Sequence, residues 1–168
     1  MRHNIKSCTL NSAQRGFSML EILITLVIVA IALLGTAGLQ IYAMRVNQSG
    51  QFRTQAIFLA SDIAERMEAN KAAAVTGNYA LALTSVSSVA ATDCAAAACN
   101  SANLANWDLS QWGIAIANLL PQATWSVTQT AAGNPSTYNI VIGWTDRSTS
   151  KTSHGETFSY TATRTVSN

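Results

Sequence analysis

The distribution of apolar residues divides the chain into three parts. Between Phe17 and Tyr42 the sequence is almost continuously apolar, and Glu21 is the only charged residue in that run. A helix needs roughly 20 apolar residues to cross the hydrocarbon core of a bilayer, so this run is long enough for one membrane span. After residue 70 the chain becomes rich in Ala, Ser, Thr and Asn. The pattern predicts a short leader, an apolar stem and a polar head.

A helical pattern continues beyond the apolar run. Apolar residues recur there at a three-to-four spacing, at Phe52, Ala56, Leu59, Ile63 and Met67. This spacing places them on one face of a helix and predicts that they form part of the core of the head. One helix from about Ser18 to about Asn70 would be roughly 80 Å long at 1.5 Å per residue. Asp62 and Arg66 lie four positions apart, with the acid first, which favours a surface ion pair.

The middle of the chain gives weaker signals. Residues 71–105 are of low complexity, and we expect a connection there with at most one short strand. A short helix should follow, capped by Asn106 or Asp108 and ended before Pro121. Its predicted apolar face consists of Trp112, Ile116 and Leu119.

The last third of the chain alternates between apolar and polar residues. The alternating apolar residues are Trp125 and Val127, then Tyr138, Ile140, Ile142 and Trp144, then Phe158 and Tyr160. Segments rich in turn-forming residues, 131–136 and 146–155, separate these groups. The pattern predicts three antiparallel strands whose apolar face packs on the first helix. The expected fold class is therefore α+β, with a small antiparallel sheet on a long N-terminal helix.

The charge of the chain is concentrated in its leader. Arg2, Lys6 and Arg15 precede the apolar run and no acid accompanies them. Without these three, the ten basic residues become seven against eight acids, so the remaining chain is about neutral. This balance does not indicate a globally basic nucleic-acid-binding protein. Basic residues before a membrane span remain on the cytoplasmic side and direct the following residues across the membrane.

Two of the three cysteines lie in the predicted head. Cys8 lies in the leader, whereas Cys94 and Cys99 are five positions apart in the sequence CAAAAC. Two cysteines in an exported chain favour a disulfide, and the alanines between them offer no further ligand for a metal. The chain-entropy model gives such a small loop only about 2–3 kcal/mol of stabilisation.

Glu21 does not fit a simple membrane anchor. A secretory signal has an apolar core of about 7–15 residues, and this run is longer. A carboxylate within a membrane helix costs a few kcal/mol at mid-depth, so an ionisable residue there suggests a function. The alternative is a carboxylate that reaches the lipid headgroups or is protonated.

The sequence around Glu21 resembles the cleavage motif of type IV prepilins. In QRGFSMLE the matching residues are Arg15, Gly16, Phe17 and Glu21, with the acid at the fifth position after the glycine. The resemblance implies that a prepilin peptidase cuts between Gly16 and Phe17 and methylates the amine of Phe17. It further implies a cleaved leader over residues 1–16.

Cleavage would create a cation one helical turn from Glu21. In a filament the stems pack as a bundle with little water, and an unpaired carboxylate would be costly there. The amine of Phe17 in a neighbouring subunit can neutralise Glu21. Such a pair would set the axial register, as a buried polar residue does in coiled coils.

The resemblance implies a domain organisation and a location. Residues 17–42 would form the transmembrane and filament-core helix, and residues 43–70 the amphipathic half of the same helix. Residues 71–168 would form a periplasmic α+β head. The chain would cross the inner membrane once, and its head would become extracellular in the pilus.

Several later segments resemble minor pilins of the PilV type. These segments are LLGTAGLQ, DIAERMEANK, Trp112 with the Leu119–Pro121 run, and IVIGWTDR. The resemblance implies a low-copy subunit that helps to initiate pilus assembly and lies near the tip. It implies as partners other minor pilins, the major pilin, the prepilin peptidase, the inner-membrane assembly platform and a tip adhesin.

Other functions are compatible with the same leader. A minor pseudopilin of type II secretion shares the leader, the glutamate and the stem. A DNA-capturing or adhesive pilin would need an exposed basic patch, for which Arg147, Lys151 and Arg164 are the candidates. His154 is the only histidine after the leader, and no arrangement of nucleophile and base, metal cluster or phosphate loop is visible. The sequence thus predicts no enzyme, no cofactor and no metal site.

Overall fold

The computed structural model describes residues 16–88, 92–146 and 155–168. The elements, in chain order, are α1 Met19–Ala69, α2 Lys71–Val75, β1 Leu81–Thr84, α3 Ser101–Leu119, β2 Thr124–Ala131, β3 Ser136–Asp146 and β4 Glu156–Val166. The chain divides into two compact units, one ending at Ala43 and the other spanning Met44–Asn168. The predicted α+β class, with a long N-terminal helix and an antiparallel sheet, is confirmed.

The sheet is a simple antiparallel meander in the order β1-β2-β3-β4. Val127 of β2 lies opposite Ile140 of β3, and Ile140 lies opposite Ala162 of β4. The three predicted strands are confirmed as β2, β3 and β4. The short strand allowed for in residues 71–105 is β1, which pairs with β2.

The core of the second unit lies between α1 and the sheet. The buried residues of α1 are Ala56, Leu59, Ala60, Ile63 and Met67, which include most of the predicted stripe. Every second residue of β3 from Tyr138 to Trp144 is buried and contributes to the same cluster. The apolar face of α1 and the apolar face of β3 therefore pack in one core. The sequence predicts both faces, the first from its helical spacing and the second from its alternation.

Helix α3 differs from its prediction at its start. The helix begins at Ser101, and the Asn100 side chain accepts a hydrogen bond from the Asn103 amide at 2.8 Å. Asn106 and Asp108 lie inside the helix, so their prediction as caps is wrong. The Ala- and Asn-rich start of α3 carries too few apolar residues to show a helical period.

The other end of α3 follows the prediction only in part. Its last residue is Leu119, and Pro121 follows the C-cap residue Leu120. Leu119 is exposed and Leu120 is buried, so the predicted place of Leu119 on the buried face is wrong. The reason is that Leu120 adopts an extended conformation, which turns its side chain towards the core. The short helix α2 was also not predicted.

Two tryptophans fix α3 in the second unit. The Trp112 side chain is fully buried, and its Nε1 donates a hydrogen bond to the Leu59 carbonyl of α1 at 2.8 Å. Gly113 follows Trp112 in α3 and lies against the second tryptophan, Trp125 of β2. A Cβ added at Gly113 would lie 3.2 Å from the Trp125 ring. Gly113 thus allows close approach of α3 to the sheet, and α3 contacts both α1 and β2.

A buried polar network joins α1, α3 and the loop before β1. Arg66 contacts Asp62 at 3.1 Å, which confirms the predicted pair, and it also contacts Asp108 of α3 at 3.1 Å. The Tyr79 hydroxyl donates to the other oxygen of Asp108 at 2.6 Å, and Asn70 donates to Tyr79 at 3.3 Å. The buried carboxylate of Asp108 is therefore both ion-paired and hydrogen-bonded, as a buried charge requires.

Replacing Tyr79 with phenylalanine should change the pH dependence of stability. Burial raises the pKa of Tyr79, and its hydrogen bond to Asp108 raises that pKa further. Since an unfolded tyrosine has a pKa of about 10, the stabilisation is present below about pH 10 and is lost above it. We expect Tyr79→Phe to cost about 1–2 kcal/mol at pH 7, because Asp108 loses a donor.

Urea unfolding between about pH 7 and 11 measures this effect. In the Tyr79→Phe variant the free energy of unfolding should fall less steeply on the alkaline side than in the wild type. Tyr160→Phe, which changes a half-buried tyrosine of β4 outside the network, is the matched control. Equal alkaline slopes in the wild type and Tyr79→Phe would contradict the proposed role of the network.

A disulfide closes the loop before α3. Cys94 and Cys99 are bonded, with their Cα atoms 5.5 Å apart. Within this loop the Ala95 amide donates to the Asp93 side chain at 2.9 Å, which organises the first turn. The disulfide ends one residue before the cap Asn100, so it restrains the segment that leads into α3.

Candidate processing and assembly site

The predicted cleavage position lies just before α1. Gly16, Phe17 and Ser18 precede the helix, and the Phe17 side chain is 81 % exposed. A Cβ added at Gly16 would meet no atom of the described chain within 4 Å. Packing in the described residues therefore does not require glycine at this position. A requirement for glycine would come from another molecule that contacts this segment, such as a peptidase.

Ser18 starts the helix that carries Glu21. The Ser18 carbonyl accepts hydrogen bonds from the Glu21 amide at 3.0 Å and from the Ile22 amide at 3.2 Å. The Ser18 hydroxyl accepts a third from the Leu20 amide at 3.4 Å. Glu21 thus lies in the first turn, where the helix dipole favours a negative charge. It lies four residues after Phe17.

Glu21 has no ionic partner among the described residues. The ion pairs of the described chain involve Arg66, Lys71 and Arg164, all outside the first unit. The first basic residue that follows Glu21 on α1 is Arg45, 24 positions on, or roughly 36 Å along the helix. A cation for Glu21 must therefore come from the amino end of the chain or from another molecule.

The apolar side chains around Glu21 are open to their surroundings. The most apolar stretch of α1 is long enough to cross a membrane, and none of it is buried within the structure. Length and composition suit a membrane span, and the exposure means that the fold itself does not use these side chains. The first unit thus offers an apolar surface with one carboxylate near its end.

Among the described residues, the remaining candidates do not gather into a site. Residues 1–15, which include Arg15 and Cys8, and the candidates Arg147, Lys151 and His154 lie outside the described residues. Arg164 lies in β4 with its guanidinium 3.9 Å from Glu68. No group of three or more metal-binding side chains occurs in residues 16–88, 92–146 and 155–168.

Sequence reasoning missed the residues that complete the polar network. Asp108 was expected at a helix cap, and neither Tyr79 nor Asn70 was singled out. The available signal was the spacing of Asp62, Arg66 and Asn70, which places three polar side chains at four-residue intervals beside the apolar stripe. The corresponding signal in α3 was Asp108, a charged residue that lies between apolar residues.

Comparison with known families gives two adjacent matches. The model described as type IV pilin Tt1218 matches residues 38–110, and the prokaryotic N-terminal methylation motif matches residues 11–37. The second match contains Gly16, Phe17 and Glu21. The first contains all of the part of α1 that belongs to the second unit, and it ends within α3. Comparison with curated proteins gave no match, and comparison with solved structures gave none.

Proposed function

Because the chain is a type IV pilin with a prepilin methylation motif, we propose that it is a minor pilin that helps to initiate assembly of the pilus and is incorporated near its tip. Pilins are structural proteins, and the role we propose is structural. The chain is anchored in the membrane by its apolar helix before it enters the pilus. Its cleavage by the prepilin peptidase and its assembly with other pilins follow from the motif.

The observation that carries the proposed assembly role is the isolated carboxylate of Glu21. It lies on an exposed apolar helix, one turn from Phe17, with no ionic partner in the described chain. We propose that cleavage between Gly16 and Phe17 and methylation of Phe17 produce the amine that pairs with Glu21 of a neighbouring subunit. A bundle of such helices excludes water, so the pair would form only in the correct axial register.

The proposed minor role is supported by the segments that resemble PilV-type subunits. In the structure, Arg66 and Asn70 of DIAERMEANK contact α3, and Asn70 also contacts Tyr79 in the loop before β1. The Trp112 segment supplies the second contact between α1 and α3. These motifs thus build the head as one unit on the second half of α1. The same head could dock on other minor pilins, the major pilin, the assembly platform and a tip adhesin.

A deletion strain tests this function. If the chain initiates pilus assembly, its loss should reduce surface pili at least tenfold and abolish twitching, with secretion of type II substrates unchanged. Expression of the wild-type chain from a plasmid should restore both. Normal pili with lost secretion would assign the chain to type II secretion as a minor pseudopilin and contradict the proposal. Normal pili with lost adhesion or DNA uptake would favour a binding pilin.

A further inference from the structure

Two arginines of α1 have no acid near them on the helix. Arg45 and Arg53 are the only charged residues between Glu21 and Asp62. Both are exposed, and neither forms an ion pair within the parts of the chain that the structure describes. Asp62 is 17 positions after Arg45, roughly 25 Å along the helix, and is already paired with Arg66. An anion that binds Arg45 must therefore come from outside α1.

The spacing of the charges on α1 matches the thickness of a bilayer. Glu21 and Arg45 are 24 positions apart, which is roughly 36 Å along a helix. The hydrocarbon core of a bilayer is about 30 Å thick, and the bilayer with both headgroup layers is about 40–45 Å thick. A helix that places Glu21 among the headgroups of one leaflet therefore places Arg45 among those of the other. Arg53 would lie roughly 12 Å further along, beyond the headgroups.

The residues around Arg45 suit the same boundary. Tyr42 ends the apolar run three positions earlier, and tyrosine is enriched where hydrocarbon meets headgroups. Met44 and Val46, on either side of Arg45 in the sequence, are apolar and exposed. An arginine at such a boundary keeps its alkyl part in an apolar environment and its guanidinium in a polar one. This combination of side chains indicates the headgroup layer of a membrane.

We propose that Arg45 binds the phosphate of an anionic phospholipid, in the leaflet opposite Glu21, while the chain is anchored in the membrane. A guanidinium group binds phosphate oxygens through two parallel N–H donors, and the opposite charges strengthen these bonds. An anionic lipid is favoured because a zwitterionic headgroup carries its own cation beside the phosphate. The contact sets the depth of α1 in the bilayer. A chain in a pilus has left this lipid, so the contact belongs to the state before assembly; this step rests on the proposed function.

Hydrogen–deuterium exchange of the purified full chain in nanodiscs tests the contact. The discs contain phosphatidylcholine alone or phosphatidylcholine with phosphatidylglycerol, and mass spectrometry follows the amides of residues 43–50. The anionic lipid should slow their exchange about fivefold, because the contact with Arg45 must break when the helix opens locally. High salt should remove most of this difference. The local measurement separates Arg45 from the basic residues of the leader, which also attract anionic lipid.

Substitutions of the two arginines provide a matched comparison on one helix. Arg45→Gln should abolish the effect of phosphatidylglycerol on exchange. Arg53→Gln removes the same charge eight positions further along, and the effect should remain. Arg45→Lys keeps the charge but loses the two-donor geometry, so it should keep part of the effect. Circular dichroism of each variant should match that of the wild type, so that a lost effect cannot come from a damaged helix.

Three results would overturn the lipid contact: equal exchange of the wild type in both kinds of disc, an effect that survives Arg45→Gln, or an equal loss in Arg53→Gln. Incorporation into pili is measured separately, from sheared filaments. Reduced incorporation of Arg45→Gln with no effect of phosphatidylglycerol would assign Arg45 to a neighbouring subunit and reject the lipid. A specific lipid effect together with normal pili in the deletion strain upholds the contact and rejects the minor-pilin function.

Discussion

Replacing Glu21 with alanine is expected to leave the protein in the inner membrane and to remove most of it from pili. The apolar surface of α1 remains, so membrane insertion does not need the carboxylate. In the bundle, the amine of a neighbouring Phe17 would lose its partner. Loss of one member of a buried ion pair costs about 3–5 kcal/mol, which corresponds to more than hundredfold in an assembly equilibrium. The measurement is the amount of protein in sheared pili relative to membranes.

Two further substitutions separate charge from shape at this position. Glu21→Gln keeps the size of the side chain and removes the charge, and we expect it to fail as Glu21→Ala does. Thr25→Ala, one turn further along the same exposed helix, removes only a hydroxyl that bonds the Ile22 carbonyl and should assemble normally. If Glu21→Ala and the wild type occur equally in sheared pili, the assembly role of Glu21 is wrong.

The largest effect on the stability of the head is expected from Trp112→Ala. The Trp112 ring is fully buried and its Nε1 bonds the Leu59 carbonyl, so the substitution removes both packing and a hydrogen bond. Substitutions of buried aromatic residues by alanine cost about 3–5 kcal/mol. We expect about 4 kcal/mol, measured by urea unfolding of the full chain in detergent with circular dichroism as the signal.

Trp107→Ala provides the control on the same helix. Trp107 is half-buried, so its loss should cost much less than the loss of Trp112. Trp112→Phe keeps most of the apolar area but leaves the Leu59 carbonyl without this donor. Its cost in unfolding free energy should lie between those of Trp107→Ala and Trp112→Ala. Equal costs for Trp107→Ala and Trp112→Ala would show that α3 is not held to α1 through Trp112.

The sequence predicts those parts of the fold in which apolar residues recur at a regular spacing. The stripe of α1 and the alternation in β3 each place large apolar residues on one face, and burial of that face is the main driving force for folding. The bounds of α1 were predicted to within about one residue at each end. The strands β2, β3 and β4 were predicted for the same reason.

The errors occur where tertiary contacts decide the structure. The start of α3 at Ser101 depends on the Asn100 cap, and many asparagines and serines nearby offer the same chemistry. The burial of Asp108 depends on Arg66 and Tyr79, which lie 42 and 29 positions away. The spacing of Asp62, Arg66 and Asn70 marks a polar row on α1, but a single sequence does not show which distant residue pairs with it. The order β1-β2-β3-β4 is also a property of pairing and not of local pattern.

The candidate site was predictable because its signal is local. Gly16, Phe17 and Glu21 lie within one short segment, directly before and inside a long apolar run. The structure adds the exposure of this segment, the start of the helix at Met19 and the absence of an ionic partner for Glu21 among the described residues. The partner that we propose for Glu21, the amine of Phe17 in a neighbouring subunit, lies outside this chain.

Mass spectrometry of the amino-terminal peptide, taken from protein in sheared pili, tests the central claim most directly. We expect a peptide that begins at Phe17 and carries one methyl group on its amine. In a strain that lacks the prepilin peptidase, the same protein should retain residues 1–16 and stay in the membrane fraction. A chain in pili that retains residues 1–16, or that begins at another residue, would contradict the claim that this protein is processed at Gly16 and assembled through the new amino end.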